Sequence, residues 1–325
     1  MNQKKTICFS LPCYNEKDNV IPLAEGIMSI CQKELPDYNY ILQFIDNCST
    51  DGTKGLLEGL CAKYSQIRVI FNARNFPLTS GFYGILQTEG DCTIAIPTDF
   101  QVPLDVIPQL IKKWEAGAKI VCLIKESTQE KKIMWNIRQL FYKLSQKFSD
   151  SKVIPNYNGA GLYDKQFLDI CRKINDPVAS LAQMVSTLGW NVEELAYKEH
   201  KRRHGKSKNN FFTLFDIAIL RFTNSSNLGP RIATLGGFFL SILSLVIGII
   251  YFILKLLYWE QFPVGIFPLI FGVFFIGGAQ LFFTGLVGEY VIKVNTRIMN
   301  RPLVVEEKRL GFNNNCEEGS GKGNL

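Results

Sequence analysis

At 325 residues, with 47% hydrophobic content and a mean hydropathy of +0.06, the chain has room for one large domain plus an appendage and is too apolar for an ordinary soluble protein. A net charge of +7, from 36 basic and 29 acidic residues, is modest; it suits anionic lipid or phosphate ligands and gives no reason to expect a nucleic-acid partner. The 9 cysteines form no CxxC pair and no Cys/His cluster, which excludes a zinc site and a disulfide framework and predicts reduced, buried thiols such as Cys8, Cys92 and Cys122.

The N-terminus, MNQKKTICFSLP, has too short an apolar run for a signal peptide, so the sequons at Asn47 and Asn224 are expected to be chance matches. Thr6 to Leu11 reads as a buried strand stopping at Pro12, then CYNE and an amphipathic helix from Lys17 to Gln32 with Asn15 or Asn19 as its cap. Tyr40 to Ile45 is a second strand ending in Asp46, followed by the turn cluster NCSTDGT and a helix from Lys54 to Tyr64. Ile67 to Phe71 is a third strand, leading to Arg74 and Asn75, and a helix spans Ser80 to Thr88. A fourth begins at Cys92 and breaks off into Pro97, Thr98, Asp99, Phe100 and Gln101; Leu104 to Glu115 and Lys119 to Ile124 supply another helix and strand.

Strands alternating with helices of this length predict parallel βαβ units, an α/β fold with a mainly parallel sheet. In such a sheet the loops after the strands converge, bringing Pro12 to Glu16, Asp46 to Thr53, Arg74 to Asn75 and Asp99 to Gln101 around one cleft suited to a phosphorylated ligand. Asp99 is the first candidate for the centre of the chemistry, against the alternative that it only forms a turn or caps a helix. No GxGxxG follows the first strand, and Gly205-Lys206-Ser207 lacks the upstream glycine of a phosphate loop, so a nucleotide must be held differently.

Lys131 to Phe148 is a basic amphipathic helix, read either as lying in a membrane interface or as a domain helix with a solvated face. Lys201, Arg202, Arg203, Lys206 and Lys208 crowd one short run, either a membrane-anchoring loop or a phosphate grip. Beyond it, 232–257 and 263–290 are two predicted transmembrane helices, since a hydrocarbon core takes about 20 helical residues. Arg221, Arg231, Lys293, Arg297 and Arg301 outside that hairpin place both chain ends in the cytoplasm. The predicted division is therefore a cytosolic domain (1–208), a juxtamembrane amphipathic segment (209–231), the hairpin (232–292) and a cytosolic, partly disordered tail (293–325).

Taken in order, LPCYNE, IDNCSTDGT, ARNF, PTDFQVP, IRQLFYKL and KRRHGKSK ahead of the apolar segments resemble the family 2, GT-A-fold glycosyltransferases that act on polyprenyl phosphates, the group of dolichol-phosphate mannose synthase and the bactoprenol glucosyltransferases. The resemblance implies a UDP- or GDP-sugar donor, a polyprenyl phosphate acceptor, a lipid bilayer, Mg²⁺ or Mn²⁺, and an inner or plasma membrane location; it leaves a homo-oligomer open. By position it implies a nucleotide pocket of Pro12, Tyr14, Glu16, Asp46, Asp51 and Arg74, with Ser207 and Lys208 on phosphates. It also implies a metal segment of Asp99 and Gln101, and catalysis by Asp99, Arg138 and Arg203. This chain departs from the family at Asn47, where relatives carry a second acid, at Pro97, where they carry the first acid of Asp-x-Asp, and at Gly159 to Leu162, where many read Gly-Asp-Phe-Arg. Two rivals remain: transfer to a lipid or polysaccharide hydroxyl, and a catalytically degenerate membrane-bound partner.

Overall fold

The structure, a computed structural model, describes residues 4–126, 154–174, 180–200, parts of 236–258, 266–299 and 301–312. The chain divides into two compact units, one of residues 1–139, 153–208 and 300–325, the other of 140–152 and 209–299.

The first unit is built on an eight-stranded sheet in the order β7-β5-β6-β4-β1-β2-β3-β8. Its strands are β1 (Thr6–Cys13), β2 (Asn39–Asp46), β3 (Ile67–Asn72), β4 (Cys92–Ala95), β5 (Ile120–Lys125), β6 (Tyr157–Asp164), β7 (Val192–Tyr197) and β8 (Glu306–Leu310). All but β6 and β8 run in one direction. Helices α1 (Val20–Glu34), α2 (Thr53–Lys63), α3 (Ser80–Leu86) and α4 (Val106–Glu115) are the crossovers; α5 (Lys165–Lys173) and α6 (Leu181–Thr187) follow β6. The central strands are apolar on both faces, as a sheet covered by helices on either side requires: Ile7, Phe9 and Leu11 of β1 and Leu42, Phe44 and Ile45 of β2 are wholly buried. On α4 the spacing of Val106, Ile107, Leu110, Ile111 and Trp114 puts one stripe against the sheet. Each such side chain contributes roughly 1.5–3 kcal/mol on burial.

Two details, at Pro12 and at Asn19, differ from the sequence reading. β1 does not stop at Pro12 but pairs with β2 as far as Cys13 opposite Asp46. The missing N–H of Pro12 is harmless because β4, the neighbour on that side, pairs with β1 only up to Ser10 opposite Ala95. The segment around Gly159 to Leu162 lies within a strand, β6, antiparallel between β4 and β5. Gly161 fits there because a Cβ would stand 2.2 Å from Val121 O. Asn19 occupies the N-cap position of α1, yet its side chain turns to Glu16 instead of capping; Asp164 does cap α5, accepting from Gln166 N.

The residues after the last helix form part of the first unit. β8 pairs antiparallel with β3, Ala73 N donates to Val305 O (2.9 Å), and Thr79 Oγ1 donates to Leu303 O (2.7 Å). Lys54–Glu307 and Lys308–Glu58 ion pairs line this edge, and Val304 is buried beneath it. In the second unit, α7 (Ile266–Ile298) is 33 residues long and contains an apolar stretch, Phe275–Ile292, long enough to cross a bilayer. Its Phe275, Leu281, Phe282, Val287 and Val291 are exposed, which a core helix of a soluble protein does not allow. The described residues of the other predicted span, 232–257, are helical, while the basic helix Lys131 to Phe148 lies outside the described residues. Eight described cysteines are free thiols.

Replacing buried Val304 by Asp places a charge under the β3–β8 edge and is expected to cost roughly 3 kcal/mol or more. Val305→Asp, one residue on and 52% exposed, should stay within about 0.5 kcal/mol of the parent. Thermal unfolding of the detergent-purified chain distinguishes the two; equal midpoints would mean that the segment is not docked.

Candidate active site

At the carboxyl ends of β1, β2, β3 and β4, four loops are tied to one another by side chains. Asn15 N donates to Ser49 Oγ (2.8 Å) and Thr50 N to Asn15 Oδ1 (2.7 Å); Glu16 N donates to Thr53 Oγ1 (2.9 Å). Asn47 joins the second loop to the third, donating to Asn75 Oδ1 (2.7 Å) and accepting from Asn72 Nδ2 (3.0 Å) and Phe76 N (2.7 Å). Both ends of an amide are used there, and a carboxylate has no donor for Asn75. This gives a physical account of Asn47 in place of a second acid, and makes its sequon side chain an internal strut. Thr98 Oγ1 donates to Pro12 O (3.1 Å), closing the fourth loop on the first.

The backbone at these loops is unusual. Asn15, Cys48 and Phe100, in the loops after β1, β2 and β4, all have positive φ, near 60°. Such conformations cost on the order of 1 kcal/mol or more for side chains other than glycine and gather where a site over-determines its loops. At Phe100 the turn is fixed by Gln101 N donating back to Asp99 Oδ1 (3.2 Å), which holds the Asp99 carboxylate beneath the turn with 6% of the residue exposed.

The structure thus brings Pro12, Tyr14, Glu16, Asp46, Asp51, Arg74, Asp99 and Gln101 to one end of the sheet. Their environments differ. Asp46 is buried, and burial pushes its carboxyl above the usual range against the hydrogen bonds of Ser49. At Asp51 burial also raises the pKa, but bonds from Thr53 and from Lys17 N outweigh it and hold the carboxyl low. Asp51 is therefore a clasp between the first two loops. Arg74 is exposed and lies over the Phe76 ring, 4.5 Å from its centroid. Arg138, Arg203, Ser207 and Lys208 lie outside the described residues.

Between the ends of β1 and β4 opens a mainly apolar cavity of about 170 Å³, lined by Pro12, Ile96, Pro97, Asn158, Gly159 and Ala160 among others. Pro97 and Ala160, at two positions where relatives carry acids, thus face the same space. A larger cavity, about 600 Å³, lies at the opposite end of the strands beside Thr6 and Asp91. Its Arg68, Arg172 and Arg309 are already paired with Glu89, Asp169 and Glu306.

Sequence reasoning missed Glu199. Two residues past β7, its Oε1 accepts from Gln101 Nε2 (2.6 Å) and from Lys125 Nζ (2.5 Å). Tyr197 beside it is buried, and its hydroxyl has no partner among the described residues. The only hint in the sequence is an acid standing just ahead of the basic run, in YKEHKRRHGKSK.

The mainly parallel α/β sheet, with the candidate residues gathered at the carboxyl ends of its central strands, is a GT-A-type fold. The chain belongs to glycosyl transferase family 2, whose profile matches residues 8–170. It is 28% identical over 306 residues to the SfII prophage-derived bactoprenol glucosyl transferase of Shigella flexneri, covering 93% of this chain and 97% of that one. To the prophage bactoprenol glucosyl transferase homolog of Escherichia coli K12 it is 26% identical over 299 residues, 91% of this chain and 96% of the other. Among solved structures, mannosyl-3-phosphoglycerate synthase from Rubrobacter xylanophilus superposes with a TM-score of 0.46 at 13% identity, covering 71% and 75% of the two chains. The protein is a glycosyltransferase.

Asp51→Asn leaves an amide facing Lys17 N, and losing that bond should cost about 1–2 kcal/mol at neutral pH. Because the folded-state pKa of Asp51 is depressed, the carboxylate's contribution is complete above about pH 4 and disappears as pH falls through the lowered value. Unfolding curves of parent and variant should therefore converge on acidification; a gap independent of pH would remove the clasp.

Proposed function

We propose that the protein transfers a sugar from a nucleotide-sugar donor to a membrane polyprenyl phosphate, making a lipid-linked sugar on the cytoplasmic side of a cell membrane. The observation that carries this reading is the end-to-end match to bactoprenol glucosyl transferases, which runs past the family profile into the exposed apolar helix α7. Positive flanks at Arg221, Arg231, Lys293, Arg297 and Arg301 support a membrane hairpin with both chain ends cytoplasmic.

The nucleotide occupies the pocket of Pro12, Tyr14, Glu16, Asp46 and Arg74, braced by Asp51. An acceptor phosphate oxygen attacks the anomeric carbon in line as the nucleoside diphosphate leaves, inverting the configuration in one step. A phosphate monoester has a second pKa of about 6, so the acceptor is already anionic near neutral pH and needs no strong protein base. That suits a chain with 2 histidines, both in the basic run after β7. Arg138, Arg203, Ser207 and Lys208 supply cations and a hydroxyl for the donor and acceptor phosphates.

At the turn after β4 the Asp99 carboxylate and the Gln101 side-chain amide offer the kind of oxygen donor a hard divalent cation takes, while the described residues hold no cluster of three or more His, Cys, Asp or Glu. Asp99 and Gln101 would hold Mg²⁺ or Mn²⁺, which when bound neutralises charge gathering on the departing diphosphate. Pro97 supplies no ligand, so the site leans on fewer acids than an Asp-x-Asp pair and the cations of the basic run carry more of the diphosphate's charge.

Membranes containing the protein, incubated with a panel of labelled sugar nucleotides and polyprenyl phosphate, should yield one sugar in the lipid extract. Asp99→Ala should lower that transfer by at least about 100-fold, as loss of a transition-state electrostatic contact does, while the protein remains in the membrane. Near-parent turnover would take Asp99 out of the mechanism. Arg203→Ala is expected to raise the polyprenyl phosphate concentration needed for half-maximal rate, and an unchanged acceptor dependence would remove that residue from the acceptor site.

A further inference from the structure

The turn that carries Asp99 and Gln101 is held from outside. Beyond β7 the chain crosses it: His200 N donates to Gln101 O (3.0 Å), and Gln101 Nε2 donates to Glu199 Oε1 (2.6 Å). Glu199 is in turn fixed by Lys125 from the end of β5, and the two side chains are only 16% and 21% exposed. In the β5–β7 register Lys125 stands opposite Tyr197 at the end of the paired strands, and Glu199 lies two residues beyond.

We infer that Glu199, steadied by Lys125, is a positioning residue that sets which way the Gln101 amide points, and thereby presents the amide oxygen beside Asp99 to a divalent cation. A carboxylate only accepts hydrogen bonds, so Glu199 can face only the NH₂ end of the amide. Nε2 and Oε1 are the two separate ends of one planar amide, so with Nε2 committed to Glu199 the oxygen, the end that ligates a cation, is the one left to face elsewhere. Remove Glu199 and either orientation becomes accessible, one of which offers N–H groups to the ion. The Lys125 charge keeps Glu199 from competing as a ligand. This rests on the reading that Asp99 and Gln101 hold the metal, and the test separates the two.

Mn²⁺ affinity of the full chain in detergent, measured by electron paramagnetic resonance with Mn²⁺ alone, is the readout, with the thermal midpoint monitoring the fold. The parent should bind and Asp99→Ala should not; if Asp99→Ala binds like the parent, the metal reading itself fails. Glu199→Ala should weaken binding about 10–100-fold, the usual effect of losing a partner that orients a ligand. Glu199→Gln, which still offers an oxygen to Gln101 and Lys125, should stay within about threefold of the parent. In a Gln101→Glu background the residue that binds the ion has oxygens at both ends, and adding Glu199→Ala should then leave affinity unchanged or improved. Equal weakening in both backgrounds would make Glu199 a mere structural support and overturn the inference. So would parent-like affinity in Glu199→Ala while Asp99→Ala abolishes binding.

Discussion

The site depends on a mismatch of strand lengths. β1 remains paired with β2 as far as Cys13, but its ladder with β4 ends three residues earlier. Beyond Ser10 one side of the central strand has no neighbour, and the chain uses that gap: Pro12 needs no donor, its carbonyl takes the Thr98 hydroxyl, and the walls of the apolar cavity separate there. A β4 longer by two residues would fill the crevice with ladder hydrogen bonds. Asp99 would then be a surface residue at the end of a regular strand, where burial and a locked turn could not hold it.

Ending ladders early leaves backbone groups to be satisfied by other means. The solution here is a lattice of short polar side chains, Asn15, Asn47, Ser49, Asp51 and Thr53, each bonding to the backbone or an amide of the next loop. These residues do not need to touch a ligand to matter. They fix the spacing of the loops and brace Asn15 and Cys48 at positive φ, conformations that isolated loops would relax. Asp46 and Asp51 illustrate the division of labour: equal in sequence type, one is a buried carboxyl resisting ionisation, the other a charged clasp whose oxygens are all committed.

Much of this was legible in the sequence because parallel βαβ units announce themselves locally. Continuous apolar runs ending in Pro12, Asp46, Asn72 and Pro97 marked the four central strands, and the convergence of loops at the carboxyl ends of an open parallel sheet then gathered them without any contact being known. The remaining strands carry weaker patterns. β6 holds Gly161, whose use is a close backbone approach to β5 that no propensity reveals. β7 and β8, VEELAY and EEKRL, are charged because they sit at the two edges of the sheet, where charge discourages pairing with other chains. Glu199 was illegible for a related reason: it meets Gln101 across 98 residues of sequence, through a register that only the folded sheet defines.

The edge strand β8 also changes what counts as the catalytic unit. Residues 300–325 follow the apolar helix α7 in sequence, yet belong with the sheet, and the segment they open with is bonded on both sides of the Arg74 loop, to Ala73 before it and Thr79 after it. Asn75 within that loop reaches Asn47, the residue after Asp46. Hydrogen bonds and short stretches of chain therefore link the segment after the helix to Asn47, the neighbour of the buried Asp46. The end of the sheet that carries the candidate site is therefore walled in part by chain that follows the apolar helix in sequence. Because both links run to backbone carbonyls, of Val305 and Leu303, they depend on the segment being docked and not on the side chains it carries there.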